Sequence, residues 1–227
     1  MLENSVFLLA LTFAIFVGAQ WVARRTGSVL LNPILITIVA MIAFLHFTGV
    51  PYNVYAEGGD YINFWLKPAV VALGVPLYKQ LSAIRSQVLF VLLAELAGCV
   101  AGIVSVVVLA RLFGATEEVV MSLAAKSVTT PIAMEVTRAL GGIPPLTAAV
   151  VVCVGIFGGM TGFAVMRLGR VNSPVAQGLS MGTAAHAVGT SMAIDAGGYR
   201  YGAWASLGLT LNGLFTALLA PYILALL

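Results

Sequence analysis

The chain has 227 residues, 61% hydrophobic and only 8% charged, with a mean hydropathy of +1.06. A soluble domain carries roughly 25% charged residues, so this chain lacks the polar surface to cover itself in water. Its net charge of +3 is scattered over separate loops and forms no patch, which excludes nucleic acid as a partner.

The composition specifies an all-α polytopic membrane protein in the lipid bilayer. Apolar runs predict about six full transmembrane helices, at 5–22, 31–48, 62–79, 87–112, 145–167 and 201–226. Glu3 precedes the first run and Arg24-Arg25 follow it, the reverse of a signal peptide's charge order. The run therefore reads as a retained span with its N-terminus outside. Residues 50–61, with Glu57 and Asp60, read as a turn-rich acidic loop, and 79–86, with Lys79 and Arg85, as a basic cytoplasmic one. Pro68 and Pro76 should flex the third span. Lys67 beside Pro68 can snorkel to the outer interface. Glu95 in the fourth span and Asn212 in the last call for interhelical partners. Cys99 and Cys153 sit in apolar runs as packing residues. No metal or cofactor motif appears, and no nucleophile–base pair or nucleotide loop suggests an enzyme.

Two polar stretches repeat. Ser127-Val-Thr-Thr-Pro-Ile-Ala-Met-Glu135 matches Ala187-Val-Gly-Thr-Ser-Met-Ala-Ile-Asp195 at a shift of about sixty residues. Val128, Thr130, Ala133 and Glu135 then fall on Val188, Thr190, Ala193 and Asp195. Their segments, 119–140 and 177–199, either cross the bilayer as broken helices or dip in and return as re-entrant hairpins. The second arrangement makes an inverted repeat, 119–167 and 177–226, as in elevator-type transporters. Residues 1–113 would then be scaffold and 114–227 the transport region. Glycine-rich runs at Gly155-Ile-Phe-Gly-Gly-Met-Thr-Gly162 and Gly208-Leu-Thr-Leu-Asn-Gly213 permit close helix approach.

Thr130-Pro131 starts a helix well, and Gly189-Thr190-Ser191 is its counterpart. Two helix N-termini lined by Thr129, Thr130, Thr190 and Ser191 hydroxyls suit a small carboxylate. His186, one turn before Thr190, can reach the mouth of that site. Glu135 and Asp195 are proton-coupling candidates, since an ionised carboxylate in lipid must be paired or protonated. Lys126 and Arg138 are the nearest cations, and either can instead pair with Glu135 in a structural ion pair.

Four stretches closely resemble the LrgB/CidB family of bacterial inner-membrane proteins: Leu31-Asn-Pro33, Lys67-Pro-Ala-Val-Val-Ala-Leu-Gly-Val-Pro-Leu-Tyr78, Lys126-Ser-Val-Thr-Thr-Pro-Ile-Ala133 and Gly182-Thr-Ala-Ala-His-Ala-Val-Gly-Thr190. The family pattern has serine where this chain has Ala185. The resemblance covers nearly the whole chain and implies a multi-pass protein of the bacterial inner membrane. It implies one of two functions. The first is secondary transport of small monocarboxylates such as glycolate, glycerate or pyruvate. The second is holin- or antiholin-like control of murein hydrolase export and autolysis beside a small LrgA/CidA-type partner. By analogy with small elevator carriers, a homodimer is expected.

Overall fold

The computed structural model describes residues 4–26, 31, 33–72, 78 and 87–227, without the side chains of 63, 66, 67 and 69–72. Every regular element among the described residues is a helix. This is the form in which a lipid-embedded backbone satisfies its own polar groups. Contacts divide the chain into two compact units, Met1–Ala69 and Val70–Leu227.

The first unit holds α1 (Ser5–Thr26) and α2 (Pro33–Thr48), which pack on each other, and most of α3 (Tyr52–Ala72). Asn4 caps α1 by accepting hydrogen bonds from the Val6 and Phe7 amides at 3.0 and 3.1 Å. Arg24 and Arg25 occupy its last turn, where cations complement the helix dipole. The expected acidic loop at 50–61 is helical from Tyr52 onward. Gly58 lets α3 lie against the Ser5 backbone, which any Cβ there would strike. Pro68 lies inside α3. Pro76, Lys79, Arg85 and the side chain of Lys67 fall outside the described residues.

The second unit begins its described helices with α4 (Val88–Leu112), α5 (Glu117–Ala124), α6 (Thr130–Leu140) and α7 (Pro144–Leu168). The C-terminal helical run Pro174–Leu226 is interrupted by non-helical backbone at Ala185, His186 and Gly198. It therefore comprises α8 (174–184), α9 (187–197) and α10 (199–226). Ser5–Thr26, Val88–Leu112, Pro144–Leu168 and Pro174–Leu226 are long and apolar enough to cross a membrane, whereas Pro33–Thr48 is shorter.

Both interrupted segments fold back on themselves. The Ile143 amide donates to Ser122 Oγ at 2.7 Å, so residues 123–142 leave and return to one point. Gly178 packs against Tyr201 and Trp204 so tightly that a Cβ would stand 2.7 Å from the Tyr201 carbonyl oxygen, so 179–200 do the same. Within the second segment α8 and α9 run antiparallel across α7. Met181 meets Gly162 and Ala185 meets Gly158, while Val188 and Met192 meet Gly159 in the opposite sense.

The helices before the two breaks end 60 residues apart, at Ala124 and Ala184. Helices 130–140 and 187–197 have the same length, and each ends at a positive-φ glycine, Gly141 or Gly198, 57 apart. The sixty-residue register therefore holds up to the breaks and slips by three residues after them. In the structure Glu135 and Asp195 are not equivalent; Asp195 takes the place of Arg138.

The largest core cluster surrounds the first break. Cys99, Ile103 and Val107 of α4 pack with Val120, Ala124, Ala125, Val128, Ala133, Val136, Val151, Ala220 and Leu224. In lipid this core is held by close packing and internal hydrogen bonds, because moving an apolar side chain from lipid to protein gains little.

Candidate functional site

Thr129 is the N-cap of α6 and Thr130 its first residue, one position earlier than Thr130-Pro131 suggested. Between α5 and α6 the chain is non-helical over 125–129, and there it presents Lys126 and Ser127. The second break lies at Ala185-His186, not at Gly189-Thr190-Ser191, which continue unbroken in α9. His186 adopts φ 42°, ψ −131°, a region that costs a side-chain-bearing residue about 1–3 kcal/mol. It is held there from α7: His186 Nε2 donates to the Val151 carbonyl at 2.9 Å, and the residue is 5% exposed. Gly155 makes the space, since a Cβ on it would stand 2.6 Å from His186 Cε1. Gly158 does the same for Ala185. Gly189 supplies close packing against the Met181 backbone, not a hinge.

One side chain joins the two breaks. Asn212 of α10, 1% exposed, donates through Nδ2 to the Ser127 carbonyl at 3.1 Å and to the Thr183 carbonyl at 2.9 Å. Both carbonyls belong to residues beside an interruption, where helical partners run out. Lys126 Nζ donates to Ser127 Oγ at 2.9 Å. Thr183 Oγ1 lies 2.8 and 2.7 Å from the two oxygens of Glu95, which is 2% exposed. Glu95, Thr183, Asn212, Ser127 and Lys126 are thus linked residue to residue, through the hydroxyls of Thr183 and Ser127 on their outer sides and through their backbone carbonyls to Asn212. Gly208 leaves room for this linkage, as a Cβ there would lie 3.0 Å from Thr183 Oγ1 and 3.1 Å from Glu95 Oε1.

These five residues line a cavity of about 650 Å³ bounded by α4, the first break, α8 and α10. A second cavity of about 600 Å³ is lined mainly by α7 and α8 and is largely apolar. Lys126, Ser180 and Ala184 line both, so they form the partition between them. No carboxylate pairs with Lys126 among the described residues. Thr129 Oγ1, buried at the α6 cap, has no hydrogen-bond partner there either.

A model of the LrgB-like family matches residues 12–226. The chain belongs to that family. This LrgB-like protein is 31% identical over 223 residues to the holin-like protein CidB of Staphylococcus aureus (strain N315), covering 98% of this chain and 97% of the relative. It is 33% identical over 217 residues to YwbG of Bacillus subtilis (strain 168), covering 96% of each. A second protein of that strain, YxaC, is 35% identical over 193 residues, with 85% and 84% covered. No solved structure matches it.

The structure brings together only some of the residues singled out in this LrgB-like protein. Lys126, Glu95 and Asn212, read from sequence as supporting groups, meet at the larger cavity. Thr129, Thr130, Pro131, His186, Gly189, Thr190 and Ser191 line neither cavity. Thr190 Oγ1 donates back to the His186 carbonyl at 3.0 Å, and Ser191 is exposed. Glu135 pairs with Arg138 at 2.6 Å with side chains 64% and 57% exposed, and Asp195 is exposed as well. Ser127, Ser180 and Thr183 were not singled out as binding groups. Their sequence signals were position near an interruption and, for Ser127 and Thr183, a place in the family-like stretches 126–133 and 182–190.

Proposed function

We propose that this membrane protein is a secondary carrier of small monocarboxylates, with Lys126 and the Ser127 hydroxyl holding the anion at the first break. The observation that carries this reading is a lysine inside the second unit, facing a cavity, with no carboxylate paired to it among the described residues. A partly buried ammonium with no carboxylate at ion-pair distance keeps donors open, so such a site favours an anionic guest that can accept from it directly. Its place in the partition between two cavities suits a guest approached in turn from either side. In this reading 119–140 and 177–199 are re-entrant segments of an inverted repeat in the bacterial inner membrane, and the protein works as an elevator-type homodimer with its N-terminus outside. Helices of 11 residues, about 16 Å long, reach roughly half the depth of the hydrocarbon layer.

The test is uptake of labelled glycolate, glycerate and pyruvate by proteoliposomes. Wild type should take up at least one, and Lys126→Gln should lose it. No uptake by wild type, or uptake indifferent to Lys126→Gln, would remove the carrier reading.

The match over nearly the full length of a holin-like protein supports a second reading more directly than the first. This is the alternative that the family resemblance implies: control of murein hydrolase export and autolysis beside a small LrgA/CidA-type membrane partner. That reading predicts an autolysis phenotype in a deletion strain that Lys126→Gln still complements.

A further inference from the structure

Glu95 has a hydrogen-bond environment that distinguishes its two protonation states. Thr183 Oγ1 lies within 2.8 Å of three acceptors: both Glu95 oxygens and the Leu179 carbonyl. A hydroxyl has one proton. When Glu95 is ionised, Thr183 must turn its proton to the carboxylate and leave the Leu179 carbonyl. When Glu95 is protonated, it donates to Thr183, which returns its own proton to Leu179. The two states thus differ at a residue two positions before the Ala185-His186 interruption.

Charge balance gives this switch a role. Of the residues lining the larger cavity, Glu95, Cys99 and Lys126 are titratable. Cys99 faces Glu95 from α4 itself, and its thiol is within 3.4 Å of Thr216 Oγ1 of α10. From the other elements packed around Glu95 come Lys126 at the first break, Thr183 of α8 and Asn212 of α10. With Glu95 ionised and Lys126 charged, the empty cavity is neutral. A monocarboxylate on Lys126 would leave it with one net negative charge. In a low-dielectric surrounding that excess is far more costly than in water, and one proton on Glu95 removes it.

Building on the carrier reading above, we propose that Glu95 is the coupling site: it takes one proton from water for each anion held by Lys126 and returns it to water on the side where the anion leaves. Asn212 ties the backbone of Thr183 to that of Ser127, and so fixes the proton site relative to the anion site. Glu135 and Asp195 have no part in it.

The experiment compares two assays on the full chain in proteoliposomes: counterflow of labelled pyruvate at equal pH, and accumulation driven by an inward proton gradient. Wild type should show both. Glu95→Gln should show measurable counterflow, at whatever rate its place in the cavity sets, and lose accumulation above that of a gradient-free control. Accumulation equal to wild type in Glu95→Gln, or loss of counterflow along with it, would overturn the coupling role. Absence of counterflow in wild type would instead sink the carrier reading and take this one with it. Should Glu95→Gln fail to fold, Thr183→Val retains the carboxyl and removes its hydroxyl partner. It should displace the pH dependence of accumulation, and an unaltered pH profile would overturn the proposal.

Discussion

The two folded-back segments reach similar shapes by different chemistry. The first is closed by hydroxyls. Thr147 Oγ1 donates within a buried group formed by the Ser122 carbonyl and Thr137 Oγ1, both at 2.9 Å, and Ser122 Oγ receives the Ile143 amide. The second is closed by glycines: Gly178 and Gly182 bring α8 against the backbone of α10, and Gly155 and Gly158 seat its tip on α7. The tips differ in the same sense. The first turns through extended backbone at Thr129 (φ −63°, ψ 146°) and presents a cation and hydroxyls. The second stores strain at His186 and presents little polar side chain beyond Thr183. The polar side chains that face the cavity are thus concentrated on the first segment, while the second contributes packing, a carbonyl and the Glu95 contact.

The largest expected effect comes from the one residue that serves both. Asn212→Leu leaves the Ser127 and Thr183 carbonyls without their side-chain donor and should destabilise the protein by about 2–4 kcal/mol, seen as a lowered unfolding temperature in detergent. A shift no larger than that of a surface substitution would separate the two breaks energetically. Next comes the glycine-seated tip. Gly155→Ala drives a methyl group into the His186 ring and should cost about 1–3 kcal/mol. Combined with His186→Gly, which removes both the ring and the positive-φ strain, the loss should fall well short of additive in the same assay.

That pair of residues also explains where sequence reading stopped. The first break was legible because threonine followed by proline specifies a helix start locally. The second was placed three to four residues late because Gly189-Thr190-Ser191 was matched to Thr130-Pro131 as a helix start. What breaks the chain at His186 is a carbonyl and a gap on α7, more than thirty residues away in sequence, and no local pattern encodes them. The sixty-residue match holds before the breaks and misleads only after them, pairing Glu135 with Asp195 by residue type where the helices align at 57. The helical class, the α4, α7 and α10 spans and the need of Lys126, Glu95 and Asn212 for polar partners were legible, since a polar group in an apolar run must find a partner wherever it lies. Which partners they find depends on tertiary packing.

A smaller effect should come from the hydroxyl-closed segment. Thr147→Val removes one donor from a buried group and should cost about 1–2 kcal/mol in the unfolding assay, with uptake retained because Thr147 lines neither cavity. The smallest belongs to the exposed pair. Glu135→Gln should change stability by less than about 0.5 kcal/mol, and gradient-driven accumulation should persist. Loss of accumulation would return the coupling role to that carboxylate.

The claim beneath all of this is that the two interruptions lie side by side at one cavity, with Ser127 and Ala184 on its wall. Cross-linking tests it most directly: Ser127→Cys with Ala184→Cys, in a chain whose Cys99 and Cys153 are replaced by alanine, treated in membranes with a short bifunctional thiol reagent and read by mass spectrometry. The account predicts an intramolecular link between the two positions. Both cysteines labelled singly, with no link between them, would contradict it.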